Sequence, residues 1–180
     1  MAGTIEGARE ATKVHTTDSR AFASPGYGPV GVVTDEAVHM FHKRTRPTNL
    51  SCEVDVLPRV DLVKLVAGID GTLVRAAHEA GAAGLVLEAF GIGNANHEVL
   101  EEVRESIRNS VSIMVVSRCP EGRAAPIYGN GGGYDLREAG AIFGGSFSGQ
   151  KARLLLMVAL SVAKTTGASP EELLTPHLNL

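Results

Sequence analysis

Gly84-Leu85-Val86-Leu87-Glu88-Ala89-Phe90 is the run whose reading decides the fold. It is apolar almost throughout, does not alternate with polar residues, and is closed by Gly91. Such a run is expected of a strand buried on both faces, the habit of parallel sheets covered by helices. Working outward, the chain keeps alternating. Upstream, Val60-Asp61-Leu62-Val63-Lys64-Leu65-Val66 reads as a strand. Asp70 then reads as the N-cap of a helix through Leu73, Ala76, Ala77 and Ala80, stopped by Gly81. Downstream, Asn96 opens a second helix, with Val99, Leu100, Val103 and Ile107 on one side and Glu101, Glu102 and Glu105 on the other. Val111 to Val116 is a third strand, Ala141-Ile142-Phe143 a short fourth, and Gln150 to Val162 a long helix. Ser169-Pro170-Glu171-Glu172 opens a last short helix with proline at its first position. Strands alternating with helices predict an α/β fold, a three-layer parallel sheet flanked by helices.

Before residue 59 the pattern changes. Gly31-Val32-Val33 and Val38-His39-Met40-Phe41 read as two short strands around a turn at Asp35-Glu36. Ala8-Arg9-Glu10-Ala11 reads as a helical start, with Lys13 just after it, and Pro120 to Gly133 as loop. The expected organisation is a short β-rich N-terminal appendage over 1–43, a linker over 44–58 carrying Pro47 and Asn49, and an α/β domain over 59–180.

Composition narrows the function classes. The chain has 180 residues, a net charge of −3 and no basic run, which excludes the positive surface a generic nucleic-acid binder needs. The six histidines are scattered and the two cysteines, Cys52 and Cys119, stand alone, so no metal site is expected and a reducing, cytoplasmic setting is. Met1-Ala2-Gly3-Thr4-Ile5-Glu6 does not read as a secretory signal, and Leu154 to Ala163 is too short to span a bilayer. The 21 glycines cluster after apolar runs, as turns at the ends of buried strands require.

In parallel sheets ligands sit outside the carboxyl ends of strands. Two loops leave such ends here, Gly91-Ile92-Gly93-Asn94-Ala95-Asn96 and Ser117-Arg118-Cys119-Pro120-Glu121-Gly122. The first is not a dinucleotide turn, because it follows the second strand and Asn96 stands where a third glycine should, and no cofactor is expected. Its glycines still allow backbone to approach a ligand, and Asn94 offers donors and an acceptor; equally, Asn94 suits a turn or a cap. Cys119 has no histidine near it in sequence and reads as a structural thiol, while Arg118 is expected to hold a loop by pairing with a carboxylate. Lys13, among Thr12, Thr16 and Thr17, has the surroundings of a proton shuttle, but from spacing alone an exposed surface lysine is the safer reading.

Several stretches together resemble the asparaginase/glutaminase family of threonine-dependent amidohydrolases. Ala8-Arg9-Glu10-Ala11-Thr12-Lys13-Val14-His15-Thr16-Thr17 and Ala21-Phe22-Ala23-Ser24-Pro25-Gly26-Tyr27-Gly28-Pro29-Val30-Gly31 look like the end of that family's N-terminal domain. Ala80 to Asn94, Ser117-Arg118-Cys119, Gly140-Ala141-Ile142-Phe143-Gly144-Gly145 and Gly149-Gln150-Lys151-Ala152-Arg153-Leu154 look like its C-terminal domain, described as flavodoxin-like. The resemblance runs through nearly the whole chain in order.

It implies a mechanism in which a threonine hydroxyl attacks the side-chain amide of asparagine or glutamine, ammonia leaves and water resolves the acyl-enzyme. Lys13 matches the lysine that assists proton transfer. Asn94 matches the asparagine of the glycine-rich loop that reaches a neighbouring subunit's active site, with Gly93 and Ser117 expected beside it in substrate binding. The family's acidic substrate contact is not transferred, because the match is loose across Gly131-Gly132-Gly133-Tyr134-Asp135. The family's nucleophile-bearing TGGT-like turn and its TDT-like motif have no counterpart here; Gly3-Thr4-Ile5 echoes the first by three letters only. The expectation is therefore a short family member that hydrolyses asparagine or a related amide. It would work as a homo-oligomer, at least a dimer, with Lys13 and one of Thr16, Thr17, Ser117 or Cys119 as an unorthodox nucleophile, Thr16 first among them, or with a second chain supplying the threonines. The alternative expectation is a non-catalytic amino-acid-binding or assembly module. An electron or nucleotide carrier would suit the sheet but lacks a phosphate loop.

Overall fold

The computed structural model describes residues 2–42, 49–50 and 57–178, in two compact units, 1–46 and 47–180. The expected linker over 44–58 falls mostly outside the described residues.

In the first unit the strands are short: β1 (Thr4–Ile5), β2 (Thr12–Lys13), β3 (Phe22–Ala23), β4 (Gly31–Val33) and β5 (Val38–Met40). β1, β4 and β5 form an antiparallel sheet in the order β1-β4-β5, and β2 pairs with β3 as a separate hairpin. The turn at Asp35-Glu36 is closed by Thr34, whose N–H donates to Ala37 O (2.9 Å) while its Oγ1 accepts the Ala37 N–H (3.2 Å). The helical start expected at Ala8–Ala11 is instead one turn, with the Glu10 and Ala11 N–H groups on Gly7 O, after which the chain extends and places Lys13 on a strand. A helix there would need several turns of apolar periodicity, and Thr12, Val14 and the threonines beyond favour extended backbone.

The second unit follows the expected alternation. Its elements are β6 (Val60–Lys64), α1 (Thr72–Glu79), β7 (Gly84–Ala89), α2 (His97–Arg108), β8 (Ser112–Ser117), α3 (Gly133–Glu138), β9 (Ile142–Phe143), α4 (Gly149–Thr166) and α5 (Pro170–Leu178). β6, β7, β8 and β9 pair in parallel and in chain order. Right-handed crossovers between strands in that order leave α1, α2 and α3 on one face. α4 crosses β6, β7 and β8 on the other and packs with α5. β7 is buried at all six positions, which is why its sequence does not alternate.

Two apolar clusters fill the layers. One joins Leu85, Leu87, Ile113 and Val115 to Val74, Val99, Leu100, Val103 and Leu136. The other joins Val60, Val86, Met114 and Val116 to Ala152, Leu156, Ala159, Leu174 and Leu178. Gly84 is glycine because α4 lies close over the sheet: a Cβ there would stand 3.0 Å from both Leu156 Cδ2 and Leu160 Cδ1.

Two local expectations are corrected. The α1 N-cap is Gly71, and Asp70 instead accepts the Thr72 N–H at 2.9 Å from one residue further out, which holds its carboxyl below the usual aspartate range. α3 was not expected; it starts at Gly133, where the stretch expected to be loop ends, and has six residues and one buried large side chain, Leu136, too little for a visible period.

Candidate functional site

The loops after β7 and β8 meet at the carboxyl end of the sheet. Phe90 and Asn94 exchange backbone hydrogen bonds, N–H to O at 2.9 Å each way, and close a tight loop over 91–93. Gly91 (φ +48°) and Gly93 (φ +122°) make that closure affordable, and Gly93 is also packed beneath the Phe143 ring, where a Cβ would come to 2.8 Å. Asn96 caps α2, its Oδ1 accepting the Val99 N–H (2.9 Å) while its Nδ2 donates to Ile69 O (2.8 Å) and ties the loop to the β6–α1 connection.

The structure gathers Gly93, Asn94 and Ser117 into this one cluster. Ser117 Oγ donates to Gly91 O at 2.5 Å and accepts the Cys119 N–H at 3.0 Å. Its single proton is thus committed to a carbonyl, and it works as a strut between the two loops. Asn94 Oδ1 accepts the Gly133 N–H at 3.1 Å, so it caps α3, whose N-cap residue Gly132 has no side chain to do so. Asn94 Nδ2 makes no hydrogen bond among the described residues and is left as a donor. The loop carrying it is tied down further by the Ala125 N–H, which donates to Ile92 O at 2.7 Å. One amide donor on a loop held by backbone hydrogen bonds suits a ligand carrying a carboxylate or carbonyl oxygen.

Arg118 corrects its expectation. It finds no carboxylate; Nη1 donates to Leu65 O (2.9 Å) and the guanidinium lies 4.7 Å over the Phe90 ring. It still holds the loop, but through a carbonyl and a ring. Cys119 is a free, exposed thiol rather than a buried structural one.

Lys13 and Thr16 belong to residues 1–46, on the β2–β3 hairpin, and both are exposed. Neither side chain has a hydrogen bond or ion pair among the described residues. Among these residues no group of three His, Cys, Asp or Glu side chains converges as metal ligands do, and no helix is long and apolar enough to cross a membrane.

Three contributors were missed in the sequence. Asp135, on the first turn of α3, accepts the Gly131 N–H at 2.7 Å, and Asn130 pairs with His97 Nε2 at 3.0 Å. The first holds the glycine-rich turn onto α3, and the second ties it to the start of α2. His15 organises the loop that carries Thr16. Only the spacing Asn130…Asp135 around three glycines could have signalled the first two; the third lay in plain view beside Thr16.

Comparison with known proteins identifies the family. The Glutaminase/Asparaginase C-terminal domain family matches residues 59–172, and the Asparaginase, N-terminal family matches residues 1–46. The chain is 30% identical over 161 residues to an L-asparaginase of Bacillus licheniformis, covering 89% of this chain and 50% of that protein. It is 37% identical over 177 residues to a probable L-asparaginase of Deinococcus radiodurans, covering 95% of this chain and 52% of that one. With a Haemophilus influenzae protein named probable L-asparaginase periplasmic it shares 30% over 173 residues, 91% of this chain and 47% of the relative. The chain thus spans about half the length of the curated relatives it matches. A parallel α/β sheet with its glycine-rich asparagine loop at the carboxyl edge, a family match over that whole domain and a second over the preceding segment lead to one conclusion: this chain belongs to the asparaginase/glutaminase family.

Proposed function

We propose that this chain takes part in hydrolysis of the side-chain amide of asparagine or a related small amide to the acid and ammonia, as an oligomer or with a second chain. The observation that carries the reading is Asn94, held by its own carbonyl on α3 with Nδ2 left free to bind a substrate oxygen. In this reading Gly93 and Ser117 hold the loop that presents Asn94 to a neighbouring subunit's substrate, a threonine hydroxyl, Thr16 or one from a second chain, attacks the amide carbon, and Lys13 takes the hydroxyl proton and delivers it toward the leaving ammonia. Water then cleaves the acyl intermediate.

The need for another polypeptide surface follows from Lys13 and its unit. A lysine acts as a proton shuttle when it is desolvated or bonded to its partners, and Lys13 is exposed with neither. In the same unit Val14, Phe22, Val33, Val38, Met40 and Phe41 are all exposed, and the β5 edge strand is exposed along its length. Val30 is the one buried large apolar residue described there. An uncovered edge with that much apolar surface suits pairing with another chain. We place the protein in the cytoplasm, where an exposed Cys119 thiol stays reduced; cell fractionation tests this against the periplasmic relative.

A non-catalytic amino-acid-binding or assembly role is the second reading, favoured by the exposure of Lys13 and Thr16, whose side chains make no hydrogen bond or ion pair among the described residues. One experiment separates them: ammonia release from L-asparagine and L-glutamine, with the oligomeric mass measured in the same buffer. Release that vanishes in Lys13→Ala supports hydrolysis. A well-folded oligomer that binds L-asparagine and releases no ammonia, alone or with co-purifying chains, overturns it in favour of binding.

A further inference from the structure

The loop between β2 and β3 carries Thr16 and Thr17, and its shape depends on one imidazole. His15 Nδ1 accepts two backbone hydrogen bonds, from the Thr17 N–H at 3.1 Å and the Asp18 N–H at 2.9 Å. The next link follows directly: Asp18 Oδ1 accepts the Arg20 N–H at 2.6 Å. The loop's base is closed by Val14 N–H on Ala21 O at 2.7 Å. Between that base and Arg20, the loop-internal hydrogen bonds of the described residues run through the His15 and Asp18 side chains, so the ring substitutes for a backbone partner.

A nitrogen that accepts two N–H groups carries no proton, so the ring is neutral with its hydrogen on Nε2. A proton arriving on Nδ1 turns the acceptor into a donor facing two donors, and both bonds are lost together. Histidine is the side chain whose charge ordinarily changes between roughly pH 5 and 8. The charged neighbours on the hairpin are Lys13, Asp18 and Arg20; none of them, and no charged group of another described element, forms an ion pair with the ring.

We propose that His15 is a positioning residue: in its neutral form it fixes the backbone of the Thr16–Thr17 loop next to Lys13, and its protonation releases that loop. The consequence for catalysis rests on the proposed role of Lys13 and Thr16; the positioning itself does not.

The test reads the two amides directly. In the ¹⁵N-labelled full chain, the His15 ring should show the Nε2–H tautomer at pH 7.5, and solvent exchange of the Thr17 and Asp18 amides, corrected for intrinsic rates, should be slowed about 2- to 10-fold relative to pH 5.5, as one modest hydrogen bond each would give. His15→Asn places a carbonyl oxygen where Nδ1 stands and should keep the protection at both pH values. His15→Ala should lose it at both. Equal protection at pH 5.5 and 7.5 in the parent chain, an Nδ1–H tautomer, or protection unchanged in His15→Ala would overturn the proposal. Ammonia release is scored separately: its absence beside the expected amide pattern counts against the hydrolytic reading alone.

Discussion

Asn94 and Gly133 lie 39 residues apart, and the Oδ1 of the first accepts the N–H of the second at 3.1 Å. This bond divides one side chain into two jobs. The carbonyl half completes the start of α3, whose own N-cap position is glycine, and the amide half remains for a ligand. The orientation of the Asn94 amide is thereby set by a helix that the sequence does not announce.

The two jobs separate by substitution. Asn94→Asp keeps an acceptor, and a negative one is favoured at a helix start, so the urea midpoint should stay near the parent's. Asn94→Ala removes the cap and should cost about 0.5–2 kcal/mol. Ammonia release should fall at least about tenfold, or ~1.4 kcal/mol in the barrier, in both variants, because both lack the Nδ2 donor. Full activity in Asn94→Asp would show that the donor is not used.

Legibility followed contact range. β7 and β8 were readable because burial on two faces leaves runs such as Leu85-Val86-Leu87 without interruption, and β6 from its Val60, Leu62 and Val63 despite Asp61 and Lys64. α2 and α4 were readable from their periodicity, and the Asn96 cap from its neighbours. β1, β2 and β3 have two residues each, too few to alternate. α3 hides among glycines because one residue, Leu136, anchors it. In the candidate site the residue types Asn94 and Ser117 stood out, but what they bond to did not. Gly133 and Gly91 are partners chosen by the fold, at separations of 39 and 26 residues. Lys13 was legible as a residue, and its place on a strand was not.

Ser117→Ala removes the strut between the two site loops. It deletes the bond to Gly91 O and leaves the Cys119 N–H without its 3.0 Å acceptor. At about 0.5–1.5 kcal/mol per net hydrogen bond, chemical denaturation should report a loss of ~1–2 kcal/mol. Amide exchange at Cys119 should quicken while that of the β8 core residues Val115 and Val116 keeps pace with global stability alone. An unaltered Cys119 amide would mean the strut is not formed in solution.

Gly93→Ala tests whether the tight loop is built on glycine for two reasons at once. The φ of +122° is strained for any L side chain, and the added Cβ would meet Phe143 Cε1 at 2.8 Å. Strain of about 1–3 kcal/mol adds to overpacking of similar size, so a loss above ~2 kcal/mol is expected. Pairing it with Phe143→Leu should recover the packing share and leave the backbone share. Complete recovery in the double variant would show that the backbone carries no strain there.

Stability below neutral pH should depend on the start of α5. Ser169 Oγ accepts the Glu172 N–H (3.2 Å) and Glu172 Oε2 accepts the Ser169 N–H (2.9 Å), a reciprocal cap that holds the Glu172 carboxyl below the usual glutamate range through the Ser169 N–H first and its side chain second. The folded value is the lower one, so the unfolded chain binds the extra proton. The stabilisation is therefore complete above the ordinary glutamate value of about 4.3 and is lost as pH falls through the folded value. Asp70, held low by the Thr72 N–H, and Glu105, held low by Arg108 and Asn109, act in the same sense and window. Glu172→Gln keeps an acceptor for the Ser169 N–H but cannot titrate. Thermal melts of this variant should thus match the parent less closely at pH 6 than at pH 3.5, and its midpoint should fall less steeply over that interval. Because α5 delivers Leu174 and Leu178 to the second apolar cluster, the effect should appear in the global transition rather than in local fraying. Parallel pH curves for variant and parent would mean that Glu172 does not make the cap in solution.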